Sequence, residues 1–291
     1  MKKQLFAPLR SLALAGLLLS GVLSAQAAGL HRLPPHVQGY KLTGTSATIP
    51  VTDIREIKAG HAWRIILTQG NTPSVRLEYD ASIAGKLEAG TSRGTLYLSG
   101  QNRSGNGKHI AYITVSNLQE LELSGASEAE GKNTIVSRGN FDLDLSGASE
   151  AKNLKVRTRD FSADLSGASE LSLMLTATGE VDLDLSGASE ATVTSGQKVR
   201  EMSIDLSGAS ELQVKGFAQK AEVDLSGASE LHGQDLAAQQ AEIEASGASE
   251  ITMTVRGTVE LEASGASLVT ISGKPTIRSN RSDRSSRVVV K

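Results

Sequence analysis

Carboxylates recur in this chain at a spacing that could turn them into columns. Asp144, Asp164, Asp184, Asp205, Asp224 and Glu244 each stand two residues ahead of a Ser-Gly-Ala-Ser motif, and Glu128, Glu150, Glu170, Glu190, Glu211, Glu230 and Glu250 each follow one directly. If successive motifs stack in register, each set becomes an outward ladder with neighbours about 4.8 Å apart. Like charges at that distance repel by roughly 1 kcal/mol in water and several times more where solvation is poor. Calcium could offset the repulsion, because it takes carboxylate and carbonyl oxygens in flexible numbers. The alternative is a solvated face whose charge keeps a long β stack from aggregating. No other cofactor is suggested.

The remaining reactive residue types do not assemble into a catalytic set. A serine nucleophile needs a dedicated base, whereas the eight motif serine pairs are repeated and the histidines, His31, His36, His61, His109 and His232, are scattered. The histidines are read as surface or loop residues that do not cluster as a metal site, and apart from the acidic ladder no metal ligands are expected. Trp63 sits in an alternating segment and is assigned to the core instead of to a glycan-stacking platform. A polysaccharide-processing enzyme would be expected to interrupt its repeats with a long insertion carrying a unique Arg, Lys or carboxylate pair. No such insertion is found, so the expected protein is not an enzyme and has no catalytic or cofactor-binding residues.

The elements that must carry these ladders follow from the repeat itself. The motif glycines are Gly125, Gly147, Gly167, Gly187, Gly208, Gly227, Gly247 and Gly265, spaced by 18 to 22 residues. Ahead of each motif, apolar residues take every second position, as in Asp182-Leu183-Asp184-Leu185 and Glu222-Val223-Asp224-Leu225. That period means a strand with one buried and one wet face. A second alternating run follows each motif, as in Leu212-Gln213-Val214-Lys215. Two or three short strands per period of about 20 residues, with no helix between, predict a single-stranded parallel β-helix, with a right-handed coil as the expected hand. A propeller blade would need about twice that period.

The glycines are then structural corners, where a sharp or left-handed backbone is required, and the alanines allow successive corners to lie above one another. The serines are expected to satisfy corner backbone groups or to form hydroxyl ladders. In the tail, Ser282-Asp283-Arg284-Ser285 reads as a degenerate ninth corner followed by a strand at Arg287-Val288-Val289-Val290, with charges suited to an open end. Upstream, 49–117 lacks the motif but alternates at Ile54–Ile57, Trp63–Leu67, Val75–Tyr79, Thr95–Leu98 and Ala111–Val115. It is expected to be a β-rich cap or a set of irregular first coils.

Charge and the N-terminus narrow the function classes. Formal net charge is −2, but Leu121–Thr270 holds 25 acidic and 11 basic residues, against 5 and 10 in Gly29–Asn117. Nucleic acid is excluded as a partner, since the regular region is acidic where a basic stripe would be needed. Lys2, Lys3 and Arg10, the apolar run Leu12–Leu23 and Ala25-Gln26-Ala27 read as a signal peptide over 1–27, with 28–48 a linker and the β-helix from 118 to 291. The mature chain has no transmembrane segment and no cysteine to carry a lipid or a disulfide. Stability must come from packing and backbone pairing.

The segments Val51-Thr52-Asp53-Ile54 to Gly60, Trp63 to Gly70, Ser74 to Asp80 and Gly94-Thr95-Leu96-Tyr97-Leu98, followed by the Ser-Gly-Ala-Ser copies, resemble the head GIN domain family, also designated DUF2807, over about Ile49 to the end. The resemblance implies an exported bacterial β-helical protein of the envelope, periplasmic, surface-associated or secreted, with adhesion attached to it by name. Nothing after Val290 could form a membrane barrel, so self-secretion is not expected. The expected role is a noncatalytic protein presenting a rigid β-helical surface to an envelope or surface ligand, a glycan among the options. The rival classes are a calcium-dependent binding module and a polysaccharide-processing enzyme.

Overall fold

The computed structural model describes residues 32–100 and 107–291, so the signal segment 1–27 and His31 lie outside the described residues. From Glu120 onward the chain winds as a β-helix of about 20 residues per turn. Each strand pairs in parallel, in register, with the one a turn earlier: Asp142–Leu145 lies on Glu120–Leu123, Ser162–Leu165 on Asp142–Leu145, and Asp182–Leu185 follows. The strands after each corner stack likewise, Glu170 on Glu150 and Glu190 on Glu170. Between the two rows runs a column of corners.

The interior holds stacked apolar rows. One passes through Phe141, Phe161, Val181, Met202, Ala221, Ala241 and Val259, position on position. The first two rings lie parallel with centroids 6.1 Å apart. Because only every second residue faces inward, the core is one side chain deep from each wall. This explains how a chain with 3% aromatics still closes.

Glycine at the corner is required twice over. Gly187 has φ +76°, and a Cβ there would lie 2.6 Å from the Gly167 carbonyl oxygen of the turn below. The next residue, Ala188, donates its N–H to that same oxygen at 2.7 Å. The second serine of each motif is buried. Ser210 Oγ donates to Ser207 O at 2.9 Å and lies 3.3 Å from Leu185 O of the turn below. The serines thus tie corners through carbonyls, and Ser169 and Ser189 approach hydroxyl to hydroxyl only at a marginal 3.5 Å.

The described residues ahead of Glu120 enter the stack out of sequence order. Glu56–Ala59 and Arg64–Gln69 pair in parallel with Glu120–Leu123 and Glu128–Gly131 on one side and with Thr95–Gly100 and His109–Val115 on the other. The level formed by 56–69 is therefore sandwiched between a later segment and the first motif turn. Antiparallel strands finish this end: Leu87–Ser92 and Gln38–Tyr40 on one wall, Ser74–Tyr79 and Ser46–Ile49 on the other. The stretch expected as a linker thus supplies two strands from its described part, because an open wall edge has backbone groups to pair.

Two local expectations change. His61 occupies the place of a corner glycine: the hypothetical Gly125 Cβ would meet its N at 3.3 Å, and His61 and Ala62 have φ of 62° and 60°. Gly60-His61-Ala62-Trp63 is thus a corner without the motif. At the other end, Ser267 aligns with Ser286, so the degenerate corner is Asp283-Arg284-Ser285-Ser286, one residue later than the serine spacing indicated. A bulge between Val259 and Glu260 opposite Arg278 accounts for the slip.

Candidate functional site

The first acidic ladder forms as its spacing indicated and extends further. The pairing places Glu122, Asp144, Asp164, Asp184, Asp205, Asp224, Glu244 and Glu262 in one unbroken outward column. Lys58 stands below Glu122 and Arg281 above Glu262. Alternation along each strand points these side chains out, and parallel pairing without register error superimposes them. Glu122, Glu262 and the two cations were not singled out from the sequence, although the same two-before-the-corner count reaches both glutamates.

The column and the first serine of each corner, among them Ser146, Ser166, Ser186, Ser207, Ser226 and Ser246, line a groove of about 1140 Å³ along the stack. A parallel column, Glu120, Asp142, Asp182, Glu222, Glu242 and Glu260, borders it two residues away, interrupted by Ser162 and Ser203.

The electrostatics of the groove follow from this crowding. Partial burial, then the neighbouring carboxylates, push Asp144, Asp184 and Asp224 up to about 6. Asp144 feels Asp164 and Glu122, with Lys58 opposing them. Asp184 feels Asp164 and Asp205 and shares a hydrogen bond with Asp205. Asp224 feels Glu244 and Asp205. Each of the three raised groups lies between carboxylates of the turns above and below, so like charge adds to burial in each case. Burial followed by like charges also raises Asp142 and Asp182. At the lower end Lys58 Nζ reaches Glu120 Oε1 at 2.5 Å and Glu122 Oε2 at 3.0 Å. Burial alone would lower its pKa, but these bonds carry it well above the usual ammonium range.

The second ladder also forms. Glu128, Glu150, Glu170, Glu190, Glu211, Glu230 and Glu250 superimpose, starting above Arg64 and ending under Leu268 and then Arg287. It runs past the corner from the aspartates and does not line their groove. The first acid column is thus bounded by basic residues at both ends, and the second by Arg64 at one end and by Leu268, with Arg287 beyond it, at the other.

The other candidates disperse. His232 lies on the outer surface, 3.2 Å from Glu211 and 3.4 Å from Glu230, and His36 is exposed. His109, expected on the surface, is buried: it packs edge-on to Trp63 with centroids 5.1 Å apart, and its Nε2 lies 2.9 Å from His61 O. It begins a strand that the 56–69 level covers, a neighbour invisible in the linear sequence. Trp63 is fully buried, as expected, and donates from Nε1 to Ser99 O at 3.0 Å. Among the described residues no group of three or more His, Asp or Glu side chains converges as a metal site would require. The carboxylates stand side by side. No helix among them is long and apolar enough to cross a membrane.

In-register coils of about 20 residues with one acid-lined flank define the class as a repeat-built parallel β-helix. The chain belongs to the head GIN domain family: residues 53–199 and 176–275 match the family described as "Putative auto-transporter adhesin, head GIN domain". Solved structures share the fold. A "putative adhesin" from Parabacteroides distasonis matches with a TM-score of 0.62 at 15% identity, covering 85% of this chain and 96% of that one. A "putative lipid binding protein" from the same organism gives 0.54 at 16%, covering 85% and 98%. A "putative adhesin" from Parabacteroides merdae gives 0.54 at 15%, covering 85% and 95%. No curated protein sequence matches the chain.

Proposed function

We propose that this chain is an exported, noncatalytic binding protein of the cell envelope whose acid-lined groove is its recognition surface. The observation that carries this is the column of eight stacked carboxylates, closed at its ends by Lys58 and Arg281. Such a face, rigid because every turn is hydrogen-bonded to the next, is preorganised for an extended partner carrying positive charge at intervals, such as an amine-bearing glycan or a basic surface segment. The repetition also favours binding over catalysis, since each turn offers the same groups and none is distinguished as nucleophile or base. Family membership agrees with an adhesive or structural role, and the signal-like N-terminus with export.

The test is a binding screen of the protein against amine-bearing and neutral oligosaccharides, with and without calcium. An Asp164→Asn/Asp184→Asn/Asp205→Asn variant should lose most affinity for the amine-bearing class. Retained binding would place recognition elsewhere on the rod. Binding seen only with calcium would make the ladder a metal-dependent surface.

A further inference from the structure

The last turn reverses the charge of the stack. Residues 271–291 carry Lys274, Arg278, Arg281, Arg284, Arg287 and Lys291 against one acid, Asp283. That acid is already committed. Its carboxylate accepts the N–H groups of Ser286 at 2.8 Å, Gly265 at 3.0 Å and Ser285 at 2.9 Å, which hold it below the usual range. Arg281 reaches Glu262 only at 3.7 Å. The other five cations have no ion-pair partner among the described residues. Within the body of the stack Lys58, Arg200 and Lys220 each lie against two carboxylates, while Arg138, Lys155, Arg157, Lys198 and Arg256 have no ion pair among the described residues but stand among an excess of acids.

Apolar groups gather at the same end. Of the three large hydrophobic side chains that are exposed among the described residues, Ile277 at 45% and Val290 at 40% belong to this turn. Its strands, Thr276–Ser282 and Arg287–Val290, pair on one side only. A second copy does not suit this end: contact between two C-terminal ends would set like charges together, and the outermost strands of the opposite end, Gln38–Tyr40 and Ser46–Ile49, carry no acid to receive these cations.

We propose that the C-terminal end of the β-helix docks on an anionic phospholipid surface. Its arginines would take headgroup phosphates, and Ile277 and Val290 would enter the interface. The guanidinium fork fits phosphate oxygens in paired hydrogen bonds. Arg278 and Arg281 lie on the strand Thr276–Ser282, about 10 Å apart along it, Arg284 stands in the corner and Arg287 opens the next strand, so they reach separate headgroups. End-on docking also stands the stack away from the bilayer, and so keeps the acidic flank clear of a surface that would repel it. Apart from Arg281, which caps the acidic column, this surface lies outside the groove proposed above, and either assignment can fail without the other.

The test is co-sedimentation of the purified protein with vesicles of phosphatidylcholine alone or mixed with phosphatidylglycerol. Binding is expected only to the mixed vesicles and should fall steeply with added salt. An R278Q/R284Q/R287Q variant, checked for an unchanged melting profile, should bind about a hundredfold more weakly, at roughly fivefold per charge. Ile277→Ser should weaken binding without altering its salt dependence. Equal binding to both vesicle types, no binding to the mixed ones, or native-like binding by the triple variant would overturn the proposal. So would tighter binding to a soluble anionic polymer than to the mixed vesicles, since the partner would then be a polymer. Should the triple variant not fold, salt-insensitive binding of the native protein would refute it equally.

Discussion

Replacing Asp184 with asparagine should make this protein more stable at pH 8 and leave its stability at pH 4 unchanged. Asp184 sits mid-column with Asp164 and Asp205 one turn away on either side. At about 5 Å each neighbour contributes roughly 1 kcal/mol of repulsion in well-solvated surroundings. A carboxyl pushed up to about 6 would correspond to a penalty of about 3 kcal/mol without solvent screening. The side chain is only partly buried, so solvent screening reduces this to about 1 to 2 kcal/mol.

The sign follows from proton uptake. Below about pH 4 the group is protonated both folded and unfolded and costs nothing. Between about 4 and 6 the unfolded chain gives up its proton while the folded chain keeps it, so stability falls as pH rises through that window and stays lowered above it. Asparagine lacks the charge, and its amide can donate to the flanking carboxylates. Melting followed by circular dichroism should show a midpoint raised by about 2 to 6 °C at pH 8, a gain that shrinks with added salt and vanishes at pH 4. A midpoint that is unchanged or lowered at pH 8, or shifted equally at both pH values, would refute the idea that the ladder is strained by its own charge.

Other substitutions probe the corners, the capping lysine and the core. Gly187→Ala forces a left-handed φ on a residue whose Cβ meets the carbonyl below, and should cost about 3 kcal/mol or more in denaturant unfolding. Ser210→Ala removes a bonded buried hydroxyl and should cost about 1 kcal/mol, whereas Ser249→Ala, whose Oγ has no partner among the described residues, should be neutral or stabilising. Parallel chemical melts of the two serine variants decide this. Lys58→Met leaves Glu120 and Glu122 without their shared cation and should destabilise by about 1 to 2 kcal/mol at pH 8, with recovery near pH 4 as those acids protonate. Phe161→Ala breaks the stacked ring pair and opens a cavity, costing about 3 to 5 kcal/mol by the same measurement.

Much of the repeat region was legible because its information is local. Alternation at Asp182-Leu183-Asp184-Leu185 fixes which side chains face out, and a period near 20 with a glycine at each corner fixes what lies above what. From those two facts the ladder from Asp144 to Glu244 follows without coordinates. The tail shows where this reading fails: the serines of 282–285 suggested a register that a bulge opposite Arg278 moves by one residue, and a bulge is decided by pairing with the turn below.

What the sequence by itself determined is thus the β-helix, its pitch, its wet and dry faces and most of the acidic column. Tertiary structure alone decided the rest. The insertion of 56–69 between a later segment and the first motif turn buries His109 against Trp63, makes a corner of Gly60-His61-Ala62-Trp63 and places Lys58 under the column. The physical reason is that repeated neighbours one turn apart are written in the sequence as a period. Contacts between segments that do not repeat depend on which open sheet edges remain to be paired, and no period records them.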